Sequence, residues 1–197
     1  MNKIEAFFDS MAEKWDSIVN HDVNKIDAVF DITGIKAGDS VLDIGTGTGV
    51  LIPHIEERIG SRGSITAVDI SLRMLEIAES KYNYENVSFV KCDFMKDDTA
   101  DIFDVVLCYS CFPHLGDETA AIRKMCALLK KGGRLVIFHS ESRSKINELH
   151  GSMSTEVKKD KLPPAEVLKS IIELEGGEVK YLEDSNDKYV VVAGVQQ

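Results

Sequence analysis

The chain alternates short apolar runs with longer amphipathic segments. Five runs have the length and branched apolar content of buried strands, near 40–44, 64–69, 87–91, 103–109 and 133–139. Segments between them carry apolar residues at helical spacing. The clearest covers about 117–130, and Gly132 and Gly133 then predict its end. Strands that alternate with helices in this way predict an α/β protein with a doubly wound parallel sheet.

Both ends of the chain extend this pattern. Helical segments are expected over about 3–31, before the first strand. Pro163 and Pro164 open a last helix, from Ala165 to Glu175, because the first turn of a helix tolerates proline. Two strands are then expected near 178–183 and 188–195. Only a short turn-rich connection separates them, which predicts an antiparallel pair.

The run from Val41 to Gly49 joins the first strand to a glycine turn. Its glycines are Gly45, Gly47 and Gly49, and a helical pattern follows at once. Glycine lets the backbone turn sharply and lets a ligand approach it, and a helix N-terminus adds positive potential. A tight turn without a ligand is the alternative. The spacing also differs from the Gly-x-Gly-x-x-Gly pattern of pyrophosphate binders.

Two acidic residues follow the next two strands. Asp69 lies about 20 residues after the glycines, the distance at which nucleotide-binding folds hold a ribose diol. It could instead cap the next helix, but Ser71 can provide that cap. Asp93 could accept a hydrogen bond from an adenine amine. The adjacent Phe94 either stacks on that ring or belongs to the core.

These motifs resemble the class I S-adenosylmethionine-dependent methyltransferases, well over about residues 1–140 and more loosely beyond. The resemblance depends on five motifs in order: VLDIGTGTG at 41–49, AVDIS at 67–71, CDF at 92–94, FDVVL at 103–107 and LLKKGGRL at 128–135. It implies one domain over 1–197, with a Rossmann-like, mostly parallel seven-stranded sheet and a reversed C-terminal strand. It also implies an N-terminal helical lid over 1–35 and leaves 140–162 as the expected substrate loop.

The same resemblance implies S-adenosyl-L-methionine as the cofactor. The glycine turn would face the methionine moiety, Asp69 the ribose hydroxyls and Asp93 the adenine amine. The residues expected to bind the cofactor are Trp15, Asp43, Gly45, Thr46, Gly47, Gly49, Asp69, Ile70, Asp93, Phe94 and Cys108.

Histidines concentrate where the fourth and fifth strands are expected to end. His114 follows the fourth strand, whereas His139 ends the fifth and His150 lies shortly after it. A histidine at neutral pH can accept a proton from a methyl acceptor, so His114 and His139 are the candidate catalytic bases. His114, His139, His150 and Cys111 are also candidate ligands of a transition metal. His21 and His54 fall on expected helices and are expected only to pack or to be solvated.

The composition of the chain limits the kinds of partner and the location that are expected for it. The formal net charge of −10 argues against nucleic acid, because phosphate binding needs clustered Lys and Arg. No apolar run approaches the roughly 18 residues of a membrane-spanning helix. The chain start lacks an apolar signal-peptide core, which favours a cytoplasmic location and reduced cysteines. The sequence does not predict an oligomeric state.

The sequence thus predicts an enzyme that transfers a methyl group from S-adenosylmethionine to a small-molecule acceptor. Two alternatives remain open. A nicotinamide-dependent oxidoreductase would share the sheet, although it would need a different glycine pattern and a hydride-transfer site. A non-catalytic regulatory protein that binds the cofactor would carry almost the same motifs.

Overall fold

Seven strands of the computed structural model, which describes residues 3–98, 101–153 and 157–195, form one sheet in the order β3-β2-β1-β4-β5-β7-β6. The strands are β1 (Ser40–Ile44), β2 (Ser64–Asp69), β3 (Val87–Lys91), β4 (Phe103–Tyr109), β5 (Leu129–His139), β6 (Gly177–Asp184) and β7 (Tyr189–Val195). β7 pairs antiparallel with both β5 and β6, and the neighbouring pairs among β1 to β5 are parallel. The predicted sheet and its reversed C-terminal strand are confirmed.

Eight α-helices connect and cover the strands within the described ranges. They are α1 (Lys3–Met11), α2 (Trp15–Ile18), α3 (Val23–Thr33), α4 (Ile52–Ile59), α5 (Leu72–Lys81), α6 (Glu118–Ala127), α7 (Arg143–Ser152) and α8 (Ala165–Leu174). Short 3₁₀ helices lie at Ala12–Lys14, Gly60–Arg62 and Phe112–Leu115. The expected helical N-terminal segment and the helix after Pro164 are both present.

The core has two apolar layers, one on each face of the sheet. Side chains of α3 and α4 pack on one face, and those of α6 and α8 pack on the other. Successive residues of β1 alternate between them, so that Val41 joins the first layer and Leu42 the second. Central strands buried on both faces explain why their sequences are almost wholly apolar.

The strand order changes direction between β1 and β4. From β1 the chain proceeds outward to β2 and β3, and it then returns to place β4 on the other side of β1. The connecting helices diverge there, which leaves a crevice beyond the carboxyl ends of these strands. Open α/β sheets bind ligands in such a crevice.

The predicted helix over about 117–130 is too long. α6 ends at Ala127, and β5 already begins at Leu129. The pairing of β4 with β5 shifts register between Phe103 and Val105, so Gly132 and Gly133 lie in an irregularity of β5 and do not end a helix. The apolar residues Leu128 and Leu129 fit either a helix face or a buried strand, which is why the pattern misled.

The expected substrate loop over 140–162 is also partly wrong. Much of it is α7, which Ser142 caps by accepting a hydrogen bond from the backbone of Lys145. Residues 154–156 of this loop, like residues 1–2 of the predicted lid, lie outside the described residues. The helix has a polar surface and only His150 buried, so the apolar periodicity that marks most helices is weak here.

Candidate cofactor and acceptor site

A cavity of about 300 Å³ lies at the crevice between β1 and β4, within the size range of small-molecule sites. One half of its wall comes from the glycine turn after β1 and from the ends of β2 and β3. The other half comes from the N-terminal helices and from the segment after β4. The second half is largely apolar and aromatic, and includes Ile4, Phe8, Trp15, Tyr109, His114 and Leu115.

The glycine turn is fixed against β2. The backbone N–H groups of Gly45 and Thr46 both donate to the carbonyl of Val68, at 2.9 and 3.0 Å. Two buried polar atoms of this turn, Asp43 Oδ2 and Thr46 Oγ1, make no hydrogen bond of good geometry, although the two side chains lie close enough to interact and both residues line the cavity. Unsatisfied buried polar groups cost free energy, so a ligand with matching polar groups is expected to bind here. This observation fits the amino-acid end of S-adenosylmethionine.

Asp69 connects the glycine turn to the start of α5. Its carboxylate accepts hydrogen bonds from the backbone N–H of Gly47 and of Ser71, both at 2.8 Å. Ser71 caps α5 by accepting from Met74, as expected. Burial raises the pKa of Asp69 to about 6, although the backbone hydrogen bonds oppose the shift. Asp69 is therefore a ligand candidate that also shapes the loop, which the sequence did not reveal.

Asp43 is the most deeply buried carboxyl group of the cavity wall. Burial raises the pKa of Asp43 to about 7; an interaction with the Thr46 side chain opposes the shift, and the neighbouring Asp69 carboxylate adds to it. The unfolded chain ionises this group near its ordinary value of 3.8, so between these pH values the folded protein holds a proton that the unfolded chain has released. This difference makes the free energy of unfolding fall as pH rises from about 4 to 7.

We predict that Asp43→Asn removes this contribution. The variant and the wild type are expected to have similar free energies of unfolding near pH 4.5. The variant should become steadily more stable than the wild type up to about pH 7, and the difference should then stay constant. Urea denaturation of the cofactor-free protein at several pH values measures the difference. A constant difference across this range would contradict the assigned shift.

Asp104 provides the control, because its shift has the opposite sign. Partial burial raises the pKa of Asp104, but hydrogen bonds from Lys130 and Ser40 outweigh it and hold the value at about 2. The stabilisation from this carboxylate is complete above its ordinary pKa of 3.8 and is lost only as pH falls towards 2. Asp104→Asn should therefore cost stability by a constant amount over the range in which the Asp43 variant changes.

The N-terminal helices cover the cavity through polar contacts. Asp9 accepts a hydrogen bond from the Ser71 hydroxyl at 2.6 Å, and Asp16 accepts one from the Thr48 hydroxyl at 2.6 Å. Asp16 also pairs with Lys81, whereas α1 has no buried residue. Partly exposed ion pairs contribute little each to stability. That this segment is a lid stays a prediction.

Most residues expected to bind the cofactor line this cavity. They are Trp15, Asp43, Gly45, Thr46, Gly47, Asp69, Ile70, Asp93 and Phe94. Asp93 also pairs with Lys96 at 2.6 Å, and Phe94 contributes to the apolar core as well. Gly49 supports the turn from behind, where a β-carbon would lie 2.9 Å from the Tyr82 ring. Cys108 needs correction, because its side chain is fully buried in β4 and does not line the cavity.

His114 and His139 do not share the role predicted for them. His114 lines the cavity, whereas the His139 ring is buried beside Tyr189 and does not line it. Both His139 ring nitrogens lack a hydrogen-bond partner, and burial lowers the pKa of His139 to about 3. His139 is therefore corrected from a candidate base to a buried neutral residue.

The expected metal ligands do not form a metal centre. The rings of His114 and His150 lie 4.9 Å apart between centroids, and Cys111 lines the cavity near them. Among the described residues, however, no group of three or more His, Cys, Asp or Glu side chains is arranged to hold an ion. The transition-metal prediction gains no support.

Two residues of this region, His21 and Asp160, were missed or misjudged from the sequence, whereas His54 lies outside the cavity as expected. His21 lies between α2 and α3, lines the cavity and contacts the Tyr109 hydroxyl at 3.0 Å through Nδ1. His54 contacts Asp27 at 2.8 Å and does not line the cavity. Asp160 contacts His114, as described below. Its position inside a charged run gave no signal, because such runs are typical of solvated surfaces.

The fold and the site together define the class. A seven-stranded sheet with a reversed seventh strand, a glycine turn after β1 and a carboxylate after β2 form the architecture of the class I S-adenosylmethionine-dependent methyltransferases. The chain belongs to the methyltransferase domain family, whose model matches residues 35–187. No helix within the described ranges has the length and apolar character needed to cross a membrane.

Curated relatives agree with this family. The chain is 30% identical to the ubiquinone/menaquinone biosynthesis C-methyltransferase UbiE of Vibrio campbellii over 147 residues, which is 70% of this chain and 57% of the relative. The UbiE protein of Pseudomonas paraeruginosa is 30% identical over 164 residues, covering 77% of this chain and 64% of the relative. The chain thus spans less than two thirds of the length of these relatives.

Solved structures share the fold. A chain in the complex between the Trm112 methyltransferase activator of Haloferax volcanii and a methyltransferase has a TM-score of 0.80 at 16% identity, covering 99% of this chain and 98% of that chain. The SAM-dependent methyltransferase of Aquifex aeolicus has a TM-score of 0.72 at 21% identity, covering 94% and 97%. The N-methyltransferase NodS of Bradyrhizobium japonicum, solved with S-adenosyl-L-homocysteine, has a TM-score of 0.67 at 17% identity, covering 89% and 85%.

Proposed function

We propose that the protein transfers a methyl group from S-adenosylmethionine to a small aromatic acceptor. The observation that carries the proposal is the division of one cavity into two chemically different halves. Asp43 and Thr46 oxygens that make no hydrogen bond of good geometry, together with the Asp69 carboxylate, line the cofactor half. Phe8 and Leu115 line the other half, which suits a flat apolar molecule, and Trp15 lies beside Gly47, where the two halves meet.

The function of the UbiE relatives supports an acceptor of this kind. They are C-methyltransferases of ubiquinone and menaquinone biosynthesis, and the reduced forms of quinones are flat aromatic hydroquinones. The acidic composition supports a small molecule over nucleic acid, as the sequence predicted. Among the described residues that line the cavity, Lys96 is the one lysine or arginine, and it follows Asp93 and Phe94 at the cofactor half. The acceptor half therefore lacks a cluster of basic side chains that would hold phosphates.

Bound S-adenosylmethionine would supply an electrophilic methyl group. The residues of this chain would then contribute mainly position and exclusion of water. The glycine turn and Asp69 orient the cofactor end of the cavity, and the aromatic lid side chains Phe8 and Trp15 cover the acceptor end. Holding two reactants at a separation of about 3–3.5 Å accounts for a large part of the rate enhancement in such reactions.

Trp15 provides a direct test, because it is the single tryptophan of the chain and lines the cavity. We predict that S-adenosylmethionine and S-adenosylhomocysteine change its fluorescence saturably at micromolar concentration, the ordinary range for cofactors and substrates. NAD⁺ should give no saturable change. Trp15→Phe, which keeps an aromatic ring, should lose the signal but bind the cofactor in calorimetry.

Turnover distinguishes an enzyme from a regulatory binder. Formation of S-adenosylhomocysteine should increase with a hydroquinone such as 1,4-dihydroxynaphthalene, and mass spectrometry should show a methylated product. Phenols, thiols and amines form the comparison panel. Saturable cofactor binding without turnover on any of these acceptors would favour the regulatory alternative, and saturable NAD⁺ binding would contradict the cofactor assignment itself.

A further inference from the structure

We propose that Asp160 is a positioning residue that holds His114 so that its Nε2 faces the cavity and takes the proton of an acceptor hydroxyl. The inference rests on the proposed function and deepens it by naming the base, its partner and the kind of acceptor. His114 stands on the 3₁₀ helix Phe112–Leu115, directly after β4. Its ring packs edge-on against Phe8 of the lid, with 5.3 Å between the ring centroids.

The contact between the two side chains determines which ring nitrogen is available. His114 Nδ1 lies 2.7 Å from Asp160 Oδ2, and the two side chains are only 12% and 21% exposed. An ionised carboxylate accepts hydrogen bonds and donates none, so Nδ1 carries the proton. In neutral His114 the acceptor nitrogen is then Nε2, which is the atom a general base requires.

The segment that carries Asp160 is fixed to α7. Asn147 accepts from the Leu162 backbone N–H at 2.7 Å and donates to the Leu162 carbonyl at 3.0 Å. His150 Nδ1 donates to the Asp160 carbonyl at 2.8 Å. The side chains of Val157 and Leu162 are buried. Asp160 is therefore held from both sides, as a precise contact with His114 requires.

Two further histidines, His139 and His150, lie near His114, but neither is a charged partner for it. Burial lowers the pKa of His150 and lowers that of His139 to about 3, so both are neutral near pH 7. Neither repels the positive charge that His114 acquires when it accepts a proton. The Asp160 carboxylate is the acidic side chain that contacts the His114 ring, with Oδ2 2.7 Å from Nδ1.

His21 is the competing base, since it also lines the cavity. Its Nδ1 contacts the Tyr109 hydroxyl, which in turn lies 2.9 Å from the Ser140 hydroxyl. A hydroxyl can donate or accept, so this contact does not fix a tautomer as a carboxylate does. The carboxylate contact distinguishes His114 from His21.

The proposed step conserves atoms and electrons. The acceptor hydroxyl gives its proton to His114 Nε2, which makes the acceptor a stronger nucleophile. A bond forms between a nucleophilic atom of the acceptor and the methyl carbon, while the carbon–sulfur bond breaks and its electron pair stays on sulfur. For methylation at an aromatic carbon, the ring proton then leaves to solvent, and the oxygen regains its proton from His114. For methylation at oxygen, His114 releases its proton to solvent. The proposed acceptors are therefore phenols, including hydroquinones, whose ring hydroxyl is acidic enough to give its proton to a histidine.

The test compares Asp160→Asn with Asp117→Asn in the full chain. Asp117 caps α6 by accepting from the backbone of Ala120, and it does not line the cavity. Imidazole ¹⁵N NMR should show His114 protonated on Nδ1 near pH 8 in the wild type and in Asp117→Asn. In Asp160→Asn the amide can donate to Nδ1, and the proton should move towards Nε2.

Kinetics with S-adenosylmethionine and 1,4-dihydroxynaphthalene give the second readout. Asp160→Asn should lower kcat by at least about tenfold, while the acceptor KM and the cofactor Kd change by less than about threefold. Asp160→Glu, which restores a carboxylate, should recover part of kcat. The NMR measurement of the His114 tautomer needs no acceptor, so its result does not depend on turnover. An unchanged tautomer in Asp160→Asn overturns the positioning role, whereas a wild type that methylates no acceptor contradicts the proposed function.

Discussion

Asp69→Asn is expected to weaken S-adenosylmethionine binding by about a hundredfold or more. Hydrogen bonds from ribose hydroxyls to a buried carboxylate contribute about 1.5–3 kcal/mol each, and about 1.4 kcal/mol corresponds to a factor of ten in Kd. The substitution keeps the size of the side chain, but it replaces one acceptor oxygen by an NH₂ group. In either orientation that NH₂ faces a backbone N–H, of Gly47 or of Ser71.

Calorimetry measures this change, and Asp9→Asn is the matched control. Asp9 lies on α1 next to the same loop and accepts from the Ser71 hydroxyl, but it does not line the cavity. Its amide counterpart still offers an acceptor oxygen, so Kd should change by less than about threefold. Thermal unfolding without cofactor shows how far each variant damages the loop itself. A folded Asp69→Asn protein with wild-type affinity would show that Asp69 only shapes the loop.

The sheet was predictable because its signals are local. Short apolar runs rich in branched side chains, such as 105–109, are typical of strands buried on both faces, and Gly45 and Asp69 mark the ends of two of these strands. The end of α6 was not predictable in this way. The residues that continue its apolar pattern, Leu128 and Leu129, fit the start of β5 equally well.

The cofactor half of the site was predictable for the same reason, whereas the acceptor half was not. The first half consists of strand ends that follow fixed motifs, including Asp93 after β3. Asp160 reaches His114 across 46 residues of chain, and only the docking of its segment on α7 brings the two together. His139 was misjudged because strand neighbours end at the same edge, but alternate side chains point to opposite faces.

Gly45→Ala is expected to destabilise the protein by about 3 kcal/mol or more and to abolish cofactor binding. Gly45 has φ of +68°, and a β-carbon there would lie 2.3 Å from Cys111 Sγ and 2.6 Å from Cys111 Cβ. The backbone cannot easily retreat, because Gly45 and Thr46 both donate to Val68. Left-handed strain contributes about 1–2 kcal/mol, and overpacking a core contact typically adds about 1–3 kcal/mol.

Gly38→Ala separates these two contributions. Gly38 has a similar φ of +87°, but no atom lies within 4 Å of the position its β-carbon would take. It should therefore show only the backbone strain, about 1–2 kcal/mol by urea denaturation, with the cofactor Kd unchanged. Because Cys111→Gly removes both clashing atoms, Gly45→Ala should cost less in that background, by roughly the overpacking contribution. Equal costs for Gly38→Ala and Gly45→Ala would mean that the turn after β1 yields to the extra methyl group, and the close contact with Cys111 would then not be what requires glycine at this position.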